Sequence, residues 1–589
     1  MSVLRWIAGS FLVLIVLLVF QLFGPNPPIV VSTQTTFITE PLGADGLPDY
    51  EQYVLNLSRD GVTRDNNAVA ILWQALFPAG VGSQFHAAVA AELGLKQIPS
   101  QEETLALPGS IAMEKRLVSF LKQNGDTNRN ADSPADNTTE EAGASLDGDY
   151  EVRPLAEWHQ SGASGAVAKL LERVTSQAWL SEQVPPLAEW ANANKAPLDR
   201  LVEASRRSRY YAPYETLINK DRDMLISMRS PIVLKTRDAG RALSVRGMWH
   251  LGEGRPMDAW QNLLAIHRLS HLIAQRHTLM EQLVALELSG IASNGTVTFL
   301  DRAKLSADQA RQVQRDLAAI PNFAVMARSL NGGERLKALD AFTRVGSGGG
   351  AEMFSDISGG DDFGNGVFDV VSVDWNVVLR ETNRWYDRIV AAAKLADREA
   401  RAAALATIEA DMQRLVSATR TSRRMLAGVL SREHRSQIVS SMMLGLFLPA
   451  VNTAIEAEDR QNTTLELTRL AAALAVYRAK HSAYPESLDE LVPGVIERMS
   501  VDVLSGKPFV YKRSADGYLL YGLGANGSDE GGSSEWYGAL NGQQLDTLDE
   551  VDADALRSQI PMGADDICIR VPRPAFELPK ITAPAGEQP

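Results

Sequence analysis

The stretch EDRQNTTLELTRLAAALAVYRAK, residues 458–480, predicts one long amphipathic helix near the carboxyl end of the chain. Its apolar residues recur every three or four positions, and this spacing places them on one face of a helix. The residues of this stripe are Leu467, Leu470, Ala471, Leu474 and Tyr477. An apolar stripe must be covered, so we expect the following residues to supply a layer that packs on it.

The residues after this helix predict a short helix and then a β-hairpin. HSAYPESLDELVPG, residues 481–494, breaks the long helix at Tyr484-Pro485 and begins a short helix with Leu488, Leu491 and Val492 inward. This short helix ends at Pro493-Gly494. KPFVYKR and YLLYGLG then flank the turn SADG, in which Asp516-Gly517 favours positive φ angles. The hairpin should pack on the long helix.

A glycine-rich loop follows the predicted hairpin. YGLGANGSDEGG, residues 521–532, holds five glycines among Asn526, Ser528, Asp529 and Glu530. Glycine permits a tight turn, and it also permits backbone carbonyls to converge on an ion. From these residues alone, a turn whose acids meet only water and a cradle for a hard cation both stay open.

The order of long helix, short helix, hairpin and Gly/Asp loop over residues 446–571 resembles the major pseudopilins of type II secretion systems. The residues that carry the likeness, besides the long helix, are Asp502, Gly506, Pro508, Tyr511, Tyr518, Leu520, Gly524, Asn526 and Gly527. Members of that family hold a structural calcium ion in this loop, through aspartate side chains and backbone carbonyls. The resemblance therefore implies a calcium site at Asn526 and Asp529, with Asp565 and Asp566 as its closing acids. An insertion, residues 533–563, separates the two halves.

Pilins begin with the long helix and carry a prepilin peptidase site, whereas here the helix is internal and a GFTLxE-like motif is absent. We therefore expect an assembly or interaction module. An atypical minor pseudopilin of a secretion system stays open as an alternative. The whole chain is similar to a group of uncharacterised bacterial membrane-anchored envelope proteins, through its architecture and phrases such as VDWNVVLRETNRWYDR.

The amino terminus predicts a membrane anchor, residues 1–24. WIAGSFLVLIVLLVFQLF, residues 6–23, contains 18 residues without a charge, and as a helix it would span about 27 Å. A cleavable signal peptide is the competing interpretation, but GPNPP after the run lacks an A-x-A-like cleavage site. Arg5 precedes the run and the next positive charge is Arg59, so the amino terminus should be cytoplasmic and the bulk periplasmic. A later apolar run, residues 438–451, is shorter and contains Pro449.

The middle of the chain is helical in its periodicity, as in DAWQNLLAIHRLSHLIAQ, where Trp260, Leu263, Leu264, His267 and His271 fall near one face. The predicted fold is mainly α, a helical bundle or repeat-like body with a smaller α+β domain. The predicted boundaries are an anchor at 1–24, an extended then helical region at 25–122, a disordered insert at 123–150, a helical domain at 151–345, a Gly/Asp-rich loop at 346–370, a helical region at 371–445, the pseudopilin-like domain at 446–571 and a tail at 572–589.

Several classes of function find no support in the sequence. A net charge of −14 argues against nucleic acid as a partner. The single cysteine, Cys568, excludes an intramolecular disulfide. HRLSH lacks the glutamate of HExxH, so we interpret His267 and His271 as partly buried helix contacts. No nucleophile elbow, Walker loop or Rossmann fingerprint occurs.

The predicted function is accordingly that of a membrane-anchored, extracytoplasmic, non-catalytic structural or interaction protein. Its expected partners are the membrane, through the amino-terminal helix, and proteins of the envelope. The alternative from another class is an extracytoplasmic hydrolase with its site in the helical middle domain. The oligomeric state has no signal in the sequence.

Overall fold

The computed structural model describes residues 16, 19–76, 82–96, 99–100, 103–124, 163–214, 225–228, 230–348, 371–419, 427–447, 451–535, 537–544 and 556–579. Most of the predicted anchor, nearly all of the predicted insert and Gly/Asp-rich loop, and the end of the tail lie outside the described residues. Within them the protein is mainly helical, with a small three-stranded antiparallel sheet near its carboxyl end.

The helices are named in chain order. They are α1 (Tyr50–Arg59), α2 (Val69–Leu76), α3 (Ser83–Glu92), α4 (Ile111–Asn124), α5 (Ala163–Ser176), α6 (Pro185–Ala193), α7 (Lys195–Ala204), α8 (Pro231–Gly252), α9 (Pro256–Ile273), α10 (Leu279–Arg302), α11 (Ala307–Ala318), α12 (Met326–Ser329), α13 (Arg335–Gly346), α14 (Trp375–Ala393), α15 (Arg398–Thr419), α16 (Arg432–Phe447) and α17 (Val451–His481). A π-helical turn, Leu330–Glu334, joins α12 to α13, and 3₁₀ turns form at Leu225–Ser227 and Leu488–Leu491.

Two helices of the body begin with a capping box. The predicted capping box at Ser306 and Gln309 is present at the start of α11. A second box, formed by Thr278 and Glu281, begins α10. In each box the side chains satisfy backbone N–H groups that have no partner within the helix.

The central helix of the body is α10, which packs against α8, α9 and α17. Among the described residues, α10 is the one helix long and apolar enough to cross a membrane, but 72% of its apolar window is buried inside the protein. Its hydrophobic residues therefore meet other helices. The same environment explains its composition, because a helix that is covered on several sides is apolar all round.

The predicted long helix is α17, and it is covered more completely than its apolar stripe implies. Leu467 and Leu474 of the stripe are fully buried, and so are Leu465 and Ala473 outside it. Two layers account for this burial: α10 and α11 lie against the helix, and so do two strands of the sheet. Small alanine side chains on the remaining faces of α17 allow this close approach. The apolar stripe indicates only one covered face.

The predicted hairpin is confirmed as β1 (Val510–Arg513) and β2 (Tyr518–Gly522). The expected positive φ at its turn is wrong, because Gly517 is not among the residues in that region. Glycine is needed there for space: an added Cβ would lie 2.0 Å from the Val571 carbonyl oxygen. Val571 ends a third strand, Ile567–Val571, which pairs antiparallel with β2 and which the sequence did not predict.

The insertion between the hairpin and this third strand carries a two-stranded ribbon of its own, β3 (Ala539–Leu540) and β4 (Gln543–Gln544), so the third strand is β5. The large sheet has the order β1-β2-β5. One hydrophobic cluster runs from Ile38 in the amino-terminal segment to Val571. The predicted domain boundaries stay predictions, but the core itself is continuous across them.

The segment that follows the predicted anchor lies along α14 and α16. The Ser372 amide donates to the Leu22 carbonyl oxygen at 2.7 Å, and Asn376 bonds the backbone of both Pro28 and Val30. The Asn383 side chain continues the row by donating to the carbonyl oxygen of Thr35. This part of the chain is thus fixed to the body from the residue where the apolar run ends.

Candidate cation-binding loop

The topology of the sheet brings the two halves of the predicted calcium site together. Gly522, the last residue of β2, pairs with Ile567, the first residue of β5. The glycine-rich loop leaves the sheet where the GADD segment enters it, so residues 523–532 lie against Asp565 and Asp566. Neighbouring strands of a sheet impose this proximity although some forty positions separate the two segments in the chain.

Asp565 accepts hydrogen bonds from the start of the loop. Its Oδ2 accepts from the amides of Ala525, at 2.8 Å, and Asn526, at 3.3 Å. The same oxygen lies 3.3 Å from a guanidinium nitrogen of Arg460 on α17. Its Oδ1 is buried without a hydrogen-bond partner against Gly524, where an added Cβ would lie 2.2 Å from it. Gly524 also has a φ of 63°, so two constraints favour glycine there.

Asp566 is fully buried and accepts from the end of the loop. Its Oδ2 accepts from the amides of Glu530, at 3.1 Å, and Gly532, at 2.8 Å, whereas its Oδ1 has no partner. Burial raises the pKa of Asp566 to about 7; the Gly532 amide opposes this shift, and the carboxylates of Glu530 and Asp529 add to it. The site therefore holds more negative charge than its own hydrogen bonds neutralise.

Asn526 and Asp529 complete the predicted set, and both are exposed. The Asn526 amide group donates to the Gly563 carbonyl oxygen at 2.9 Å and to Glu530 at 3.0 Å. Asp529 Oδ1 accepts from the Gly531 amide and from the Tyr521 hydroxyl, and these two bonds lower the pKa of Asp529. The structure thus places all four predicted residues in one pair of facing loops.

Two further residues belong to this region and were missed in the sequence. Glu530 lies between the predicted ligands, and its Oε2 is buried without a hydrogen-bond partner. Arg460 bonds both Glu456 and Asp565, so it supplies positive charge to the loop from the helix. Glu530 follows Asp529 directly in the glycine-rich loop, and that position is the signal that could have found it, whereas only the packing of α17 reveals Arg460.

The donor chemistry suits a hard cation. Three carboxylate oxygens, on Glu530, Asp565 and Asp566, are buried without hydrogen-bond partners, and Ca²⁺ takes six to eight oxygen ligands, backbone carbonyls included. Among the residues that the structure describes, however, no three His, Cys, Asp or Glu side chains form a group that could hold a metal ion. A cation bound here must therefore draw part of its shell from Asn526 and the backbone.

The two histidines of HRLSH take part in helix packing. His267 is buried, with Nε2 3.1 Å from the Thr296 hydroxyl, and burial lowers its pKa to about 3. His271 Nε2 lies 2.8 Å from the Pro321 carbonyl oxygen, and its ring stacks on Phe323. Both rings are engaged by protein groups on neighbouring elements.

A cavity of about 230 Å³ lies between α14, α15 and α16, and its walls include Glu381, His434 and Ser440. The Ser440 hydroxyl is buried and bonds no group, so no base activates it as a nucleophile would require. This cavity lies outside the helical domain at 151–345, so the expectation of a hydrolase with its site in that domain stays a prediction.

Comparisons of the chain with protein-family models, with curated protein sequences and with solved structures found no match. The likeness to major pseudopilins therefore stays a prediction from the residues quoted above.

Proposed function

We propose that the protein is a membrane-anchored extracytoplasmic scaffold, in which an amino-terminal helix tethers a helical body that carries a pseudopilin-like interaction module. The observation that carries the proposal is the end of the apolar run. Val19, Phe20 and Phe23 are about half exposed or more, at 49%, 60% and 58%. Apolar side chains displayed in this way on consecutive turns need a cover, and a bilayer supplies one.

The junction between tether and body supports the same proposal. Arg435, itself buried, donates through three nitrogens to the carbonyl oxygens of Ser372, Gly428 and Gln21. Ser372 in turn donates from its amide to Leu22. A signal peptide that is removed has no need of such bonds, whereas a permanent tether benefits from a rigid joint at the membrane surface.

The environment of α17 favours an interaction module over a filament subunit. A pilin helix must present its apolar side to other subunits, but Leu465, Leu470 and Leu474 are already buried against the body and the sheet. Releasing the helix would expose much of the core, at a cost of roughly 1.5–3 kcal/mol for each large side chain. Contacts with envelope partners would then use the exposed loops of the module.

Calcium is the cofactor that we assign to this module, with Asn526, Asp529, Asp565 and Asp566 as the ligands and Glu530 beside them. Its contribution would be structural: a bound cation neutralises carboxylates that the protein buries without enough partners, and so fixes the loop to the entrance of β5. No catalytic role is proposed for it.

Fusions of the full chain to reporter proteins test the topology. Alkaline phosphatase, which works outside the cytoplasm, should be active at the carboxyl terminus, and a fluorescent protein that matures only in the cytoplasm should stay dark there. Arg5→Glu together with lysines introduced after residue 28 moves the positive charge from the amino-terminal to the carboxyl-terminal side of the apolar run. This change should lower the phosphatase activity and raise the fluorescence of the fusions. A fluorescent fusion with inactive phosphatase on the unaltered chain would overturn the proposed orientation.

A further inference from the structure

A second surface beside the predicted tether has no described cover. Residues 427–430 form the last helical residues before α16, and Val429 and Leu430 are exposed by 45% and 54%. Arg432 follows at the start of α16. We call Val429, Leu430 and Arg432 the exit patch, because they adjoin the point where the chain leaves the apolar run.

One guanidinium group fixes the position of this patch. Arg435 Nη1 donates to the Gly428 carbonyl oxygen at 2.7 Å, and Nη2 donates to the Gln21 carbonyl oxygen at 2.6 Å. The two carbonyl oxygens are therefore held by the same planar guanidinium group. Gly428 directly precedes Val429 and Leu430 in the chain, so one guanidinium group holds the backbone before the patch to Gln21, near the end of the apolar run.

The charge of this region is opposite to that of the protein as a whole. Residues 427–435 contain Arg432, His434 and Arg435 with one acid, Glu433, in a chain with a net charge of −14. In the described part of the chain no carboxylate forms an ion pair with Arg432, and its Nε is buried without a hydrogen-bond partner. Burial and then the neighbouring Arg432 lower the pKa of Arg435. The two guanidinium groups thus repel each other without a compensating acid.

We propose that the exit patch docks on an anionic phospholipid surface, with Val429 and Leu430 in the interfacial layer and Arg432 on lipid phosphate. This inference rests on the proposed function, because it requires the adjacent apolar run to be a retained tether. Exposed apolar residues beside arginine suit a membrane interface, where the apolar side chains enter the acyl boundary and guanidinium groups bind phosphate through paired hydrogen bonds. Two attachment points, the tether and the patch, would fix the body's orientation.

The test uses the full chain with Cys568→Ala, so that a single engineered cysteine carries an environment-sensitive fluorophore. Leu430→Cys reports on the patch, and Ile111→Cys, an exposed position on α4, is the matched control. The protein is reconstituted in phosphatidylcholine vesicles with and without phosphatidylglycerol, and quenching by nitroxide-labelled lipids is measured. We expect the emission of the label at 430 to be blue-shifted and quenched, and both effects to increase with phosphatidylglycerol. The emission of the label at 111 should show no shift and no quenching.

Arg432→Gln should lower the docked-to-undocked ratio in phosphatidylglycerol vesicles about fivefold, the equivalent of about 1 kcal/mol for one basic side chain near an anionic surface. Arg311→Gln, which removes the same charge from the exposed face of α11, should leave the ratio unchanged. Equal effects of the two variants would overturn the lipid phosphate contact.

The remaining outcomes separate the two proposals. If the protein floats with the vesicles but the label at 430 reports the same aqueous environment as the label at 111, the patch proposal fails and the tether stands. A blue-shifted label that lipid nitroxides do not quench would assign the patch to a second copy of the chain and would also overturn it. A protein that does not float with the vesicles contradicts the proposed function itself.

Discussion

At the scale of single residues, Asp566 concentrates the chemistry of the candidate loop. Burial raises its pKa to about 7, with Glu530 and Asp529 contributing, whereas an unfolded aspartate titrates near pH 4. Between these values the folded protein holds a proton that the unfolded chain has released. The free energy of unfolding in the absence of metal should therefore fall as the pH rises from about 4 to about 7.

Asp566→Asn tests this proton directly, because the amide keeps the shape of the protonated acid and cannot ionise. In chelator, the variant should lose less stability than the unaltered protein between about pH 5 and about pH 8. Thermal unfolding of the full chain at the two pH values measures the difference. Asp516→Asn, at the exposed hairpin turn, is the control and should behave as the unaltered chain does. Identical pH profiles for all three would contradict the assigned proton.

The stabilisation that calcium adds should have the opposite pH dependence. A cation binds the carboxylate and competes with the proton, so millimolar Ca²⁺ should raise the unfolding temperature more at about pH 8 than at about pH 5, with an affinity on the order of 10⁻⁴ to 10⁻³ M. Asp529→Ala and Asp566→Asn should each weaken or abolish the gain. If the unfolding midpoint is the same in chelator and in calcium, the module does not bind a stabilising calcium ion.

At the scale of elements, Asp502 joins the long helix to the sheet. It is fully buried, and it accepts hydrogen bonds from the Thr463 hydroxyl on α17 and from the Leu523 amide after β2. Ser505 donates to the same carboxylate from both its amide and its hydroxyl. The residue matched the family pattern in the sequence, and the structure supplies the physical reason for an acid there.

Asp502→Ala should leave these buried donors without an acceptor and destabilise the protein by at least about 3 kcal/mol. Limited proteolysis should then cut the carboxyl-terminal module before the rest of the chain. Asp489→Ala, at an exposed position of the 3₁₀ turn, is the control. If the protease cuts the carboxyl-terminal module of both variants at the same rate, Asp502 does not hold the module together.

The hairpin turn makes a second prediction at this scale. Gly517→Ala should destabilise by about 1–3 kcal/mol, because its Cβ would press on the Val571 backbone, 2.0 Å away. Gly494→Ala meets no atom within 4 Å and should change little. Denaturant midpoints of the two variants provide the measurement, and a Gly517 variant as stable as the Gly494 variant would contradict the close approach of β5.

Local signals predicted the elements well and their surroundings poorly. The helix over 458–480, the short turn at Leu488 and the hairpin all follow from periodicity, proline and turn residues, which act within a few positions. The strand β5, the second covered side of α17 and the role of Arg460 depend on contacts between distant segments. The candidate loop was reached through a family likeness, and Glu530 was missed because its buried oxygen is a property of packing.

At the scale of the whole molecule, the continuous core from Ile38 to Val571 makes the module part of the body. The tail adds to this union: the Arg573 amide donates to Asp301 at the end of α10, and Arg173 on α5 donates to the Glu577 carbonyl oxygen. The proposed envelope scaffold, held at one end by its tether, would gain from such stiffness. The tether is consequently the central claim, since the orientation, the partners and the lipid-facing patch all depend on it.

The most direct test is the intact mass of the full-length protein in fractionated cells, after the membranes have been washed with alkaline carbonate. We predict that the polypeptide stays with the membrane, is released by detergent, and retains residues 1–24. A polypeptide recovered from the detergent-free wash, lacking its first two dozen residues, would contradict the tethered scaffold.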